Sequence, residues 1–127
     1  MYTIKQPNEI IDQIKLEKNN GESDILDIKL KINVDVIRKF RELQIKLIEL
    51  QKDTTRDPSY YEAIGKTVYE VFALLFGEEN TEKLFTFYSD DFTQMMADLT
   101  PYIQNVIFPR FENETKSRRN ALKRKKW

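Results

Sequence analysis

The side chains that could carry chemistry are few and of one kind. Adjacent carboxylates occur twice, at Glu78-Glu79 and at Asp90-Asp91. Paired acids can share a proton for acid–base work or help hold a divalent metal. Both pairs, however, stand where the sequence predicts a helix start, and there an acid complements the helix dipole and caps free amides. One aspartate acting as a cap accounts for Asp90-Asp91 without any catalysis. The sequence has no histidine and no cysteine. That removes the side chain that titrates near neutrality, thiol nucleophiles, disulfides and most structural zinc chemistry. Gly21, Gly65 and Gly77, the only glycines, lie too far apart to cradle a phosphate, and no spacing of acids fits a calcium loop. No catalytic, cofactor-binding or metal-binding residue is assigned, and the expectation is a protein that is not an enzyme.

The basic residues are unevenly placed. Net charge is zero, yet Arg110 to Trp127 carries +6 and the other residues carry −6. An acidic body with a basic end invites self-attraction or an anionic partner. The run Ser117-Arg-Arg-Asn-Ala-Leu-Lys-Arg-Lys-Lys-Trp127 could neutralise phosphates while Trp127 stacks on a base. No basic recognition helix accompanies it, because the predicted helix 34–52 mixes Arg38, Lys39, Arg41, Lys46 and Lys52 with Glu42 and Glu49. Nucleic acid is therefore not the expected partner.

A chain of 127 residues supports one core of ordinary size. Apolar residues at 40% permit that core, and charged residues at 33% require a solvated exterior. Leu26, Ile28, Leu30 and Ile32 alternate with Asp27, Lys29 and Lys31, the period of a strand with one wet face. Upstream, Ile10, Ile14 and Leu16 precede Asn19-Asn20-Gly21-Glu22, a composition that reverses chains. The two runs predict a hairpin of residues 10–17 with 24–32.

From Val34 the period becomes helical. Val36, Ile37, Phe40, Leu43, Leu47, Ile48 and Leu50 form one stripe, with Asn33 or Asp35 as cap, and the polar stretch 53–57 before Pro58 ends it. A second helix starts at Asp57-Pro58 or at Ser59 and buries Tyr61, Ile64, Val68, Val71, Phe72 and Leu75 before Gly77 stops it. Gly65 on this helix reads as a close packing point. Asn80 is expected to cap a short helix 81–88, and Asp90 or Asp91 the next. Pro101 reads as a kink or a fresh start, and Pro109 as a break. Beyond Phe111 the apolar stripe is lost, and a frayed helix or disordered tail is expected. The expected fold is mainly α: a small helical bundle (34–111) preceded by an N-terminal β-hairpin arm (1–33) and followed by a basic flexible tail (112–127). The first residues show no secretory signal, and the longest apolar run, Val71 to Phe76, is far too short to span a bilayer. A soluble protein away from the membrane is expected.

Twelve aromatic side chains lie between Tyr60 and Phe111, and most must be core. Phe85, Phe87 and Tyr88 cannot all face inward on one narrow helix, so part of this surface is expected to meet a partner. The order Val71-Phe-Ala-Leu-Leu-Phe-Gly77, then Glu78-Glu-Asn-Thr-Glu-Lys-Leu-Phe-Thr-Phe-Tyr88, then Met95-Met96, Thr100-Pro-Tyr-Ile103 and Ile107-Phe-Pro-Arg-Phe111 resembles the tail assembly chaperones of long-tailed phages and prophages of Gram-positive bacteria. The resemblance covers roughly residues 34–115. It implies a helical protein of the bacterial host's cytoplasm, absent from the mature virion, that binds and solubilises the tape measure protein during tail morphogenesis, with the tail tube protein as a possible further partner. The candidate partner-binding residues are Phe85, Tyr88, Phe92, Met96, Phe108 and Phe111. An exposed hairpin edge and the opposed charges of body and tail favour a homo-oligomer. A small nucleic-acid-binding regulator and a structural tail component are the competing readings.

Overall fold

Strands β1 (Glu9–Glu17) and β2 (Ser23–Lys31) pair antiparallel in a register running from Glu9↔Lys31 to Glu17↔Ser23. The computed structural model describes residues 1–4, 8–52 and 57–124. The expected linker 53–56 and Lys125, Lys126 and Trp127 of the basic run therefore lie outside the described residues. The chain reverses where Gly21 takes a φ of +89°, a conformation that a Cβ would oppose. Lys18 N–H donates to Glu22 O at 2.8 Å across the turn. Alternation places Ile10, Leu16, Leu26, Ile28 and Leu30 on a buried face, with Ile14 half-buried among them. A lone hairpin is marginal in water. Here its apolar face is continuous with the helical core, so the segment drawn as an arm forms one wall of that core.

Four capping decisions shape the helices. Helix α1 (Val34–Gln51) starts at Asn33, whose Oδ1 accepts from Val36 N–H at 2.9 Å. Helix α2 (Pro58–Phe76) starts at Asp57, which accepts from Tyr60 N–H at 3.0 Å, with Pro58 in the first turn, where a missing N–H costs nothing. Gly77 ends α2 and opens α3 (Glu78–Phe87) at once, at φ +87° and ψ 157°. The expected cap Asn80 instead lies inside α3: its Nδ2 donates to Asp27 O at 2.7 Å and to Phe76 O at 2.9 Å, tying the helix to the edge of β2. Helix α4 (Phe92–Tyr102) is capped by Asp91, which accepts from Gln94 N–H at 3.2 Å.

Neither later proline interrupts the chain's helical course. Helix α4 runs through Pro101 into a π-turn (Ile103–Ile107) and on into α5 (Phe108–Arg124), which contains Pro109. The break expected at Pro109 does not occur. Phe108 N–H donates to Ile103 O, five residues back. This wide turn falls between two residues that lack an N–H, where the ordinary i→i−4 ladder is already missing donors. The boundary drawn after Phe111 thus falls within α5, and the basic run begins as helix.

Helix α2 is central. Tyr60, Ile64, Thr67, Val68, Val71, Phe72, Leu75 and Phe76 are buried along it. The predicted stripe needs one correction: Tyr60 takes the inward place, and Tyr61 is 51% exposed, edge-on to Tyr60 at 5.3 Å. Periodicity cannot separate neighbours on so broad a buried arc. The buried hydroxyls of Thr67 and Thr81 donate to Ala63 O and Gly77 O one turn back, so neither is stranded. At Gly65 an added Cβ would lie 3.3 Å from Phe92 Cε1, which makes it the close approach of α2 and α4. Among the described residues, no helix is long and apolar enough to cross a membrane.

Candidate functional site

The six candidate residues divide into two groups. Phe108 and Phe111 both stand edge-on to Phe40 of α1, at ring-centroid distances of 5.3 and 5.6 Å. This trio closes α1 onto α5. Phe111 is only 5% exposed, which corrects its placement on a partner surface: it is core, and a partner could reach it only by prising α5 away. Phe108 is half-buried against the core.

The second group lies on α3 and α4. Phe85 is half-buried beside Tyr69, ring centroids 5.5 Å apart, and Phe92 covers Gly65. Met96 is half-buried next to buried Met95. Tyr88 donates its phenolic hydrogen to Asp98 Oδ2 at 2.8 Å, and Gln94 Nε2 donates to Asp98 Oδ1 at 2.8 Å. Burial and then Asp98 push the Tyr88 phenol up to about 12. Tyr88 and Phe87, whose rings meet edge-on at 5.1 Å, form one side of a cleft of about 820 Å³. Leu16, Lys18 and Asp24 at the hairpin tip form the other side. Phe87, which is not among the six, lines this cleft beside Tyr88.

The acidic pairs have structural employment. Asp91 is the α4 cap, and Asp90 precedes it at φ +64°, just after Ser89 at φ +52°. Glu78 and Glu79 occupy the first turn of α3, where their charge favours the exposed amides. Among the described residues no group of three acidic side chains converges as a metal site would require.

One surface went unmarked by sequence reasoning. Helix α1 carries a second apolar stripe opposite its packed one: Val34, Ile45 and Ile48 are 55%, 57% and 52% exposed. Ile48 thus leaves the buried set expected for this helix. Val34, Ile37 and Ile45 form the floor of a groove of about 470 Å³ between α1 and α5. Arg38, Arg41, Glu42, Thr115 and Arg118 form its sides. Arg38 is held by Asp35 at 2.7 Å and Glu42 at 3.0 Å, and Arg118 by Glu114 at 2.9 Å. Glu114 also accepts from Asn8 Nδ2 at 2.7 Å, and together Asn8 and Arg118 hold its carboxyl below the usual range. The signal that could have exposed this stripe was the spacing of Val34, Ile45 and Ile48, hidden because Arg41 stands in its middle.

The architecture is that of a mainly α protein built on an N-terminal antiparallel hairpin. No protein-family model, no curated protein and no solved structure matches the chain.

Proposed function

We propose that this protein is a phage tail assembly chaperone that binds and solubilises the tape measure protein while the tail is built. The observation that carries the reading is the residue order from Val71 to Phe111, which resembles that family, and the half-buried aromatic and methionine side chains of α3 and α4 support it. Side chains of this kind adapt to varied helical segments. On this reading the protein acts by binding, in the host cytoplasm, and leaves before the virion is complete. The direct test is co-expression with a tape measure protein from the same genome, with the soluble fraction of that protein measured with and without this chain. An unchanged soluble fraction rejects the proposal, and recovery of this chain from purified virions rejects its transient role.

Self-association belongs to the same reading. Ile32 N–H donates to Asn8 O, and Lys18 N–H to Glu22 O, so even-numbered residues of β1 face β2 and odd-numbered ones turn their peptide groups outward. Arg110 Nη2 donates to Glu9 O, and Gln13 N–H donates to Asp12 Oδ1. The peptide groups of Ile11 and Lys15 find no partner among the described residues, which leaves an edge open to a second strand. Light scattering at high protein concentration tests for the oligomer.

A nucleic-acid-binding regulator is the second reading, favoured by one observation. Helix α5 holds Lys116, Arg118, Arg119, Lys123 and Arg124 with no acid after Glu114. A DNA affinity that falls steeply with salt would support it.

A further inference from the structure

We propose that the outward stripe of α1 and the groove beside α5 dock an amphipathic helix that carries an acidic residue in the middle of its own apolar stripe. Val34, Arg41 and Ile48 are spaced seven apart, with Ile45 between the last two, so they share one helix face over about 21 Å, or four turns. Three exposed aliphatic side chains in line, beside a groove of about 470 Å³ floored by Ile37, are not accounted for by the core. The length and spacing fit a helix that presents apolar anchors at i, i+3 or i+4, and i+7.

The charge pattern chooses among occupants. Arg38 and Arg118 already have carboxylate partners, whereas no carboxylate lies within salt-bridge distance of Arg41 among the described residues. Arg41 is also the midpoint of the stripe. Any two-fold pairing of this face with the same face of a second copy, parallel or antiparallel, in register about that midpoint, brings Arg41 against Arg41. Like charges so placed are costly, which disfavours self-docking here. A foreign helix with glutamate or aspartate opposite Arg41 buries the same apolar area and turns the repulsion into an ion pair. The chaperone reading supplies only the source of that helix, a segment of the tape measure chain.

The experiment has two arms. The first uses synthetic fluorescent helical peptides of about five turns, ~18 residues, with leucines in the apolar stripe and either glutamate or lysine at its centre. Anisotropy titrations with the full chain are expected to show the glutamate peptide binding about tenfold tighter or more, a preference that Arg41→Glu reverses. The double variant Ile45→Ser, Ile48→Ser should weaken both peptides by about tenfold. Its circular dichroism and melting should stay at the parent values, because both side chains already face water. Equal affinity for the two peptides, or binding untouched by the double variant, overturns the proposal. The second arm repeats tape measure co-expression with the double variant. If the parent chain solubilises that protein and the double variant does so equally, the groove is not its docking site and the inference falls. If the parent chain fails as well, the chaperone reading falls, and the peptide arm decides the groove by itself.

Discussion

Tyr102, at the end of α4, donates its phenolic hydrogen to Asp12 Oδ2 on β1 at 3.0 Å, joining residues 90 positions apart. Asp12 is in register with buried Ile28, yet its own side chain is exposed, so the bond lies at the rim of the hairpin's apolar face. The Tyr102 ring also lies 6.1 Å from Phe76, so one side chain links the hairpin, α2 and the last turn before the π-turn.

The same contact predicts an alkaline transition. Burial and then Asp12 push the Tyr102 phenol up to about 12, from an ordinary value of 10.0. Between pH 10 and about 12 the unfolded chain gives up this proton while the folded chain keeps it, so stability falls as pH rises through that window. Tyr88 acts in the same direction. Urea midpoints measured across this range should therefore drop. Tyr102→Phe should flatten the drop and cost about 0.5 kcal/mol at neutral pH. A parent protein whose tyrosines all titrate together near pH 10, read from phenolate absorbance, contradicts this.

Phe111 is expected to behave as core. Phe111→Ala removes one ring of the trio around Phe40 and should cost about 3–5 kcal/mol in urea unfolding. A well-folded, equally stable variant with impaired partner binding would restore Phe111 to the surface.

Gly77 joins α2 to α3 at φ +87° and ψ 157°, a region that side chains with a Cβ rarely enter. Open space surrounds it, so any cost of Gly77→Ala is conformational. About 1–3 kcal/mol of lost stability is expected. Gly65→Ala is the contrast. Its backbone is helical and its neighbour is the rim of a half-buried Phe92 ring, so the melting temperature should change little, whereas Gly65→Val should lower it clearly.

The acidic pair at the α3–α4 link should divide cleanly. Asp91→Ala removes a cap and is expected to cost about 1 kcal/mol. Asp90→Gly relieves a left-handed residue and should be neutral or stabilising. Thermal melting of both variants decides this, and a melting temperature lowered equally by the two would show that Asp90 has a structural task beyond the turn.

Local chemistry was legible in the sequence because it needs only neighbours. The hairpin follows from alternation around Gly21, the α2 start from Asp57-Pro58 or Ser59, and the α4 cap from Asp90 or Asp91, since each depends on residues within one turn; the structure chose Asp57 and Asp91. The resemblance that underlies the proposed function is likewise a matter of residue order. Burial on a crowded face was decided only by the tertiary structure. Tyr60 displaced Tyr61, Ile48 turned outward and Phe111 turned inward, because the arc each helix buries is set by which partners pack on it. Pro109 became part of a helix because α5 begins afresh at Phe108 after the π-turn, which puts the missing N–H in a first turn. Asn80 left its expected capping role for Asp27, 53 positions away, a partner that no local pattern can announce. The outward stripe of α1 is of the same kind: spacing places Val34, Arg41, Ile45 and Ile48 on one face, but only the assembled core shows that this face is left over.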